Sequence, residues 1–267
     1  GGTGKTTVAL NLALSVENTQ LLDCDVEEPN CHLFLDLKLA RIADVTATTP
    51  VIDQDRCNLC GECARQCRFN ALVQLPGFIA VQKELCHSCG LCSLVCPREA
   101  ISEEQRVIGT VDKGEGEINF YRGNLNSGEA LASLVIEKVK ENMACDMINI
   151  IDAPPGCNCA SVSAVSGLDY CVLVTEPTPF GLHDLERSIE MLKDLKVPGG
   201  VVVNRSEKEP DREILQLCRE NNLPLLMEIP FKRKIASAYS TGKPIVKVFP
   251  EYKKIFQDIF NQIKGVI

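Results

Sequence analysis

The sequence predicts an α/β fold with a largely parallel sheet, interrupted by a small cysteine-rich α+β insert. Short apolar runs that end in carboxylates, QLLDCD (20–25) and MINIIDAPPG (147–156), alternate with amphipathic stretches such as GLHDLERSIEMLKDL (181–195). A glycine-rich stretch, GGTGKTT (1–7), leads into an apolar run, VALNLALSV. Eight of the 15 cysteines fall between residues 57 and 96, in two matching groups.

The 267 residues are enough for one large α/β domain or two smaller ones. A composition 45% hydrophobic and 24% charged is ordinary for a soluble globular protein. The formal charge of −8 argues against nucleic acid as a partner, because binders of phosphate backbones show a basic face. No apolar run reaches the length of a membrane span, and a membrane is not expected as a partner. Clustered cysteines beside a nucleotide motif point to a reducing cytoplasm and to metal ligation, not to disulfides. Cys24, Cys31, Cys145, Cys157, Cys159, Cys171 and Cys218 lie outside the two groups, and ordinary packing suits most of them.

Gly1, Gly2, Thr3, Gly4, Lys5, Thr6 and Thr7 read as the end of a P-loop, G-x-x-x-x-G-K-[ST]. The glycines let backbone N–H groups approach the phosphates of ATP or ADP. Lys5 should reach the β- and γ-phosphates, and the Thr6 hydroxyl should bind Mg²⁺. The apolar run that follows is the helix whose N-terminus faces the phosphates. Such a loop normally follows a buried strand, so a strand is expected ahead of Gly1. Asp23 and Asp25 end one apolar run and Asp152 ends another, where a Walker B carboxylate would hold magnesium and its waters. YCVLVTEPT (170–178), GGVVVNRS (199–206) and LPLLMEIPF (223–231) read as further buried strands, and DREILQLCREN (211–221) as a helix. In the last stretch, EYKKIFQDIFNQIKGVI, helical spacing puts Ile255, Phe256, Ile259, Phe260 and Ile263 on one face, as in a helix packed on the sheet.

The cysteine groups repeat C-x2-C-x2-C-x3-C: Cys57, Cys60, Cys63, Cys67, then Cys86, Cys89, Cys92, Cys96. This is the spacing of bacterial two-cluster ferredoxins, in which the fourth cysteine of each run serves the other cluster. One [4Fe–4S] cluster is expected on Cys57, Cys60, Cys63 and Cys96, and a second on Cys86, Cys89, Cys92 and Cys67. Structural zinc is the competing reading, but zinc sites pair two cysteines rather than repeat three plus one. Pro97 follows Cys96 in the usual way, whereas Arg68 follows Cys67. RCNLCGECARQCRFNAL and LCHSCGLCSLVCPREAI form an internal repeat, each a cluster loop leading into a short helix. The insert is expected over residues 51–102, between two segments of one nucleotide-binding domain, 1–50 and 103–267.

Together these pieces resemble the MinD/Mrp group of P-loop ATPases, which includes the nitrogenase iron protein. GGTGKTT is similar to their deviant P-loop, whose signature lysine would precede Gly1. By that resemblance, Asp25 in DCDVEEPN orients the attacking water, Asp152 in DAPPG lies near magnesium, and Asn204 in VVVNRS reads the adenine base. DCDVEEPNCHLFL, TEPTPFGLHDL and IASAYSTGKPIV resemble the subgroup with an inserted ferredoxin domain. Relatives hold a bridging cluster between subunits, which makes Cys159 a candidate ligand of an additional intersubunit metal site. The resemblance implies a homodimer, or a heterodimer with a related ATPase, working on an apo metalloprotein or a redox partner. It implies an ATPase whose nucleotide-driven dimer switch is coupled to iron–sulfur clusters, in metallocluster assembly and transfer or in low-potential electron delivery. The alternative is a MinD-like positioning or regulatory ATPase whose ferredoxin domain senses redox state. A ferredoxin with a decayed ATPase part is disfavoured by the intact Lys5, Thr6, Asp25 and Asp152.

Overall fold

Thr19–Asp23 (β1) buries every one of its residues, so this strand needs partners on both edges and cover on both faces. It follows the first helix, Lys5–Ala13 (α1). The computed structural model describes residues 2–206 and 212–267. After β1 come a 3-10 turn at Cys31–Phe34, the long strand Leu37–Ile52 (β2), and the insert, with Glu62–Gln66 (α2), Leu72–Leu75 (β3), Phe78–Val81 (β4) and Leu91–Leu94 (α3). The chain returns through Ile101–Gly116 (β5), Asn119–Leu125 (β6), Ala132–Lys140 (α4), Ile148–Asp152 (β7) and Cys159–Val165 (α5). Cys171–Thr175 (β8), Pro179–Leu195 (α6), Gly199–Ser206 (β9), Arg212–Glu220 (α7) and Leu225–Pro230 (β10) follow. Arg233–Ser240 (α8), Ile245–Val248 (α9) and Glu251–Lys264 (α10) complete it. Asp211, the expected first residue of the seventh helix, lies outside the described residues.

One sheet has the order β2-β5-β6-β1-β7 and another the order β10-β9-β8. β1 is parallel to β6 and β7, and all pairs in the second sheet are parallel. The two main sheets are thus largely parallel, as expected, with an antiparallel margin where β5 pairs with β2 and β6. Leu21 and Leu22, successive residues of β1, are both fully buried but enter different cores. Leu21 packs with residues of α1, α9 and α10, and Leu22 with residues of α4 and α5. On α10 the buried face is Tyr252, Phe256, Ile259 and Ile263. Ile255 is exposed instead, because the core contacts α10 at Tyr252, which the expected face omitted.

β7 and β8 are the facing edges of the two sheets and form no ladder with one another. Between them runs an apolar slot of about 350 Å³, bordered by Val8 and Leu12 of α1 and Phe260 and Ile263 of α10.

β2 and β5 form an antiparallel ribbon of 16 residues each, roughly 50 Å long at the usual rise. Its middle packs on the body through Val45, Ala47, Ile108 and Val111. Its far end, where Ile52 pairs with Ile101, packs into a separate small core with Cys63, Ala71, Leu72, Ile79 and Cys86. Arg106 of β5 fastens the insert to the body. Its Nε donates to Thr49 Oγ1 at 2.7 Å and its Nη2 to the Lys83 carbonyl at 2.8 Å, while Nη1 pairs with Glu129. No helix among the described residues is long and apolar enough to cross a membrane.

Candidate functional site

The glycine loop turns at Gly2 (φ 87°) and Gly4 (φ 99°), both in the left-handed region. A Cβ on Gly4 would come within 2.4 Å of Asn204 Nδ2. That amide donates a 2.8 Å hydrogen bond to the Thr3 carbonyl, so β9 buttresses the loop. The loop and the start of α1 line an open pocket of about 410 Å³, with Lys5, Thr6, Asp25, Asn30 and Asn204 around it. Gly1 lies outside the described residues. Phe231 and Lys232, just past β10, also line this pocket, and Phe231 is 63% exposed. Sequence reasoning missed both, although a strand end at the carboxyl edge of a parallel sheet is where ligand contacts gather.

Thr6 Oγ1 donates a 2.6 Å hydrogen bond to Asp152 Oδ2. Parallel pairing aligns Asp23 of β1 with Asp152 of β7, which brings two carboxylates to one sheet edge. Burial, and then the charge of Asp152, raises the Asp23 carboxyl from 3.8 to about 7. Burial also raises Asp152, against the hydrogen bonds from Thr6 and Cys31. Asp25 lies past the end of β1 and is raised to about 6, by burial first and Asp152 second, against the pull of Lys5. Asp152 Oδ1 is buried with no hydrogen-bond partner among the described residues. Buried carboxylates and an orphaned oxygen beside a hydroxyl suit a hard cation, so the expected Mg²⁺ fits these residues.

The insert gathers its cysteines into two cavities. One is lined by Cys57, Cys60, Cys63 and Cys96, the other by Cys67, Cys86, Cys89 and Cys92. The chain builds both with one repeated device. Leu59, Gly61 and Asn70 have positive φ, as do Ser88, Gly90 and Glu99 at matching places in the second half. Gly61 and Gly90 each cap a short helix, α2 and α3. The Ala71 N–H donates to Cys67 Sγ and the Ala100 N–H to Cys96 Sγ, both at 3.3 Å. Burial raises the thiols of Cys63 and Cys92, with neighbouring cysteines of the same cavity adding to it. Four thiols around each cavity, with an amide aimed at one sulfur, fit a cubane cluster.

Cys157 is half-buried and lines a cleft with Thr3 and Lys5, its Sγ 3.7 Å from Ser188 Oγ. Cys159 opens α5 and is exposed. Between them Asn158 caps the helix, accepting from the Ser161 N–H at 3.0 Å.

An uncharacterized protein of Methanocaldococcus jannaschii is 28% identical over 277 residues, covering 98% of this chain and 94% of that protein. An iron–sulfur cluster carrier protein of Rickettsia bellii is 32% identical over 99 residues, 36% of this chain and 31% of the carrier. The septum site-determining protein MinD of Pyrococcus horikoshii, solved with Mg-ADP, has a TM-score of 0.59 at 18% identity, covering 98% of this chain and 91% of that one. That likeness extends to the fold. The family model of the CobQ/CobB/MinD/ParA nucleotide binding domain matches residues 1–245, and the chain belongs to that family.

Proposed function

We propose that this chain binds and hydrolyses Mg-ATP and couples the cycle to two [4Fe–4S] clusters held in the insert. The observation that carries the reading is the sorting of eight cysteines into two four-thiol cavities, on a ribbon rooted in the same sheet as the nucleotide pocket. Lys5 holds the terminal phosphates, Asp25 orients the attacking water, and Thr6 and Asp152 hold magnesium. Asn204, which hydrogen-bonds the loop at Thr3 and borders the pocket, is suited to read the base. Bound, the clusters would supply one-electron carriage or be cargo for an apo acceptor. The chain's own part is to present thiolates, shield them and hold the insert at a set place through Arg106.

The cysteine sorting and the partial likeness to an iron–sulfur cluster carrier favour cluster assembly or transfer, with electron delivery as the second use of the same parts. A dimer, of like or related subunits, is the proposed working form, with Cys159 on the exposed start of α5 as the candidate ligand between subunits. Packing of the apolar face of α10 into the core leaves that face unavailable to a membrane, which weighs against the positioning alternative.

The test is anaerobic. The cluster-loaded chain is mixed with Mg-ATP and an apo acceptor, the two are separated, and iron is counted on each. Iron that moves only with hydrolysable ATP is the expected result. Iron that stays on the chain excludes transfer and leaves electron delivery. A chain that holds no iron overturns the cluster reading.

A further inference from the structure

The first turn after β1 carries a residue that the nucleotide reading does not use. Cys31 is fully buried, at 0% exposure, although the loop around it borders the open pocket. Its Sγ lies 3.3 Å from Asp152 Oδ2, and its N–H donates to Asp23 Oδ2 at 3.0 Å. One ligand atom from each of Asp23, Cys31 and Asp152 can be chosen so that all three lie within 4.8 Å of one another. Asp23 is 0% and Asp152 2% exposed.

Two buried carboxylates and a thiol in one place form an arrangement that an apolar interior tolerates poorly without a cation or bound protons. The donors present leave it incomplete. Thr6 and Cys31 both donate to Oδ2 of Asp152, while Oδ1 has no partner among the described residues. The donor set also has a chemical preference. Magnesium takes oxygen ligands and near-octahedral geometry, and gains little from sulfur. A borderline-soft ion takes mixed sulfur and oxygen, with bonds of about 2.3 Å to thiolate and about 2.1 Å to carboxylate. One ion holding both at angles between octahedral and tetrahedral sets sulfur and oxygen about 3.1–3.6 Å apart. The observed 3.3 Å between Cys31 and Asp152 falls in that interval.

We propose that Asp23, Cys31 and Asp152 form a site for a thiophilic divalent ion, such as Zn²⁺. On binding, the Cys31 thiol proton leaves to solvent and a metal–sulfur bond takes its place. The ion engages Asp152 and so competes with Thr6 for it. The competition with magnesium nucleotide rests on the reading of Thr6 and Asp152 given above. The ion site itself does not.

The experiment is zinc K-edge X-ray absorption on the whole chain with its cysteine cages loaded, given one equivalent of Zn²⁺. The expected shell has one sulfur near 2.3 Å and oxygens near 2.1 Å. Cys31→Ser should remove the sulfur and weaken zinc binding at least tenfold. Asp23→Asn, which keeps the thiol, should also weaken it about tenfold at an unchanged far-UV spectrum. That second variant keeps the proposal testable if Cys31→Ser folds poorly. A shell of several sulfurs, or one unchanged by both substitutions, places the ion on other thiols and overturns the proposal. In a parallel assay, zinc should inhibit Mg-ATP hydrolysis, and Cys31→Ser should raise the inhibitory concentration about tenfold. A chain that binds zinc as expected but hydrolyses no ATP would sink the ATPase reading and leave the ion site standing.

Discussion

Thr6 Oγ1 and Asp152 Oδ2 are 2.6 Å apart, joining the first turn of α1 to the end of β7. The bond ties the helix that follows the glycine loop to the carboxylate edge, and in the proposed function both ends meet magnesium. Asp152→Asn keeps an oxygen that can accept from Thr6 but removes the charge. ATP hydrolysis, measured as phosphate release, should fall by about 10²–10³. The melting temperature should hold or rise, because a buried charge has gone. Lys5→Ala should abolish turnover while leaving the iron content unchanged, since Lys5 is remote in the fold from both cysteine cavities. Loss of iron in that variant would contradict the independence of the two parts.

The pair Asp23 and Asp152 predicts a dependence of stability on pH. Burial and the neighbouring charge raise Asp23 from 3.8 to about 7. Between about 4 and 7 the folded chain therefore keeps a proton that the unfolded chain has released. Stability should fall as pH rises through that window and level off above it. Asp23→Asn should flatten this part of the profile. The check is the melting temperature of both proteins from pH 5 to 8 in metal-free buffer. A wild-type profile that rises through the window, or a variant with the same slope, would contradict the assignment.

The nucleotide edge and the cages were legible in the sequence because their chemistry depends on short spacings. GGTGKTT, DCD and DAPPG each need only a strand end and a turn. The cysteine runs carry in their intervals the two groups of four thiols that the fold gathers around its cavities. The ribbon was not legible. LKLARIADVTATTPVI and ISEEQRVIGTVDKGEG place polar residues on both faces over much of their length, so period-two alternation is blurred. Their pairing partners also lie far apart in the chain. Phe231, Arg106 and Cys31 were missed for a related reason, since each acquires its role from residues distant in sequence. Asn204 was singled out by resemblance, but its bond to Thr3 belongs to the tertiary structure.

Arg106 and Glu129 give a prediction about how the insert is held. Their side chains are only 12% and 10% exposed. Arg106→Ala leaves Glu129 buried without its partner and should destabilise the chain by about 3–5 kcal/mol. It also removes the donors to Thr49 and to the Lys83 carbonyl. Amide hydrogen exchange should rise around residues 83–86 and at the middle of β2 while α6 and β9 keep their protection. Uniform loss of protection would mean that Arg106 supports the whole fold rather than the seat of the insert.

The crossed cages can be separated one thiol at a time. Cys67 lies in the first cysteine run but lines the cavity of the second, and Cys96 does the reverse. Cys67→Ala should therefore disturb the cluster held by Cys86, Cys89 and Cys92 and spare the other. Cys96→Ala should disturb the cluster held by Cys57, Cys60 and Cys63. Each variant should keep about four of about eight irons. A double variant distinguishes crossed from local ligation. Adding Cys89→Ala to Cys67→Ala strikes one cavity twice and should remove no further iron. Adding Cys60→Ala to Cys67→Ala strikes both cavities and should leave the chain without clusters. Were ligation local to each run, those two double variants would exchange outcomes, and iron analysis with the low-temperature electron paramagnetic resonance of the reduced proteins would show it.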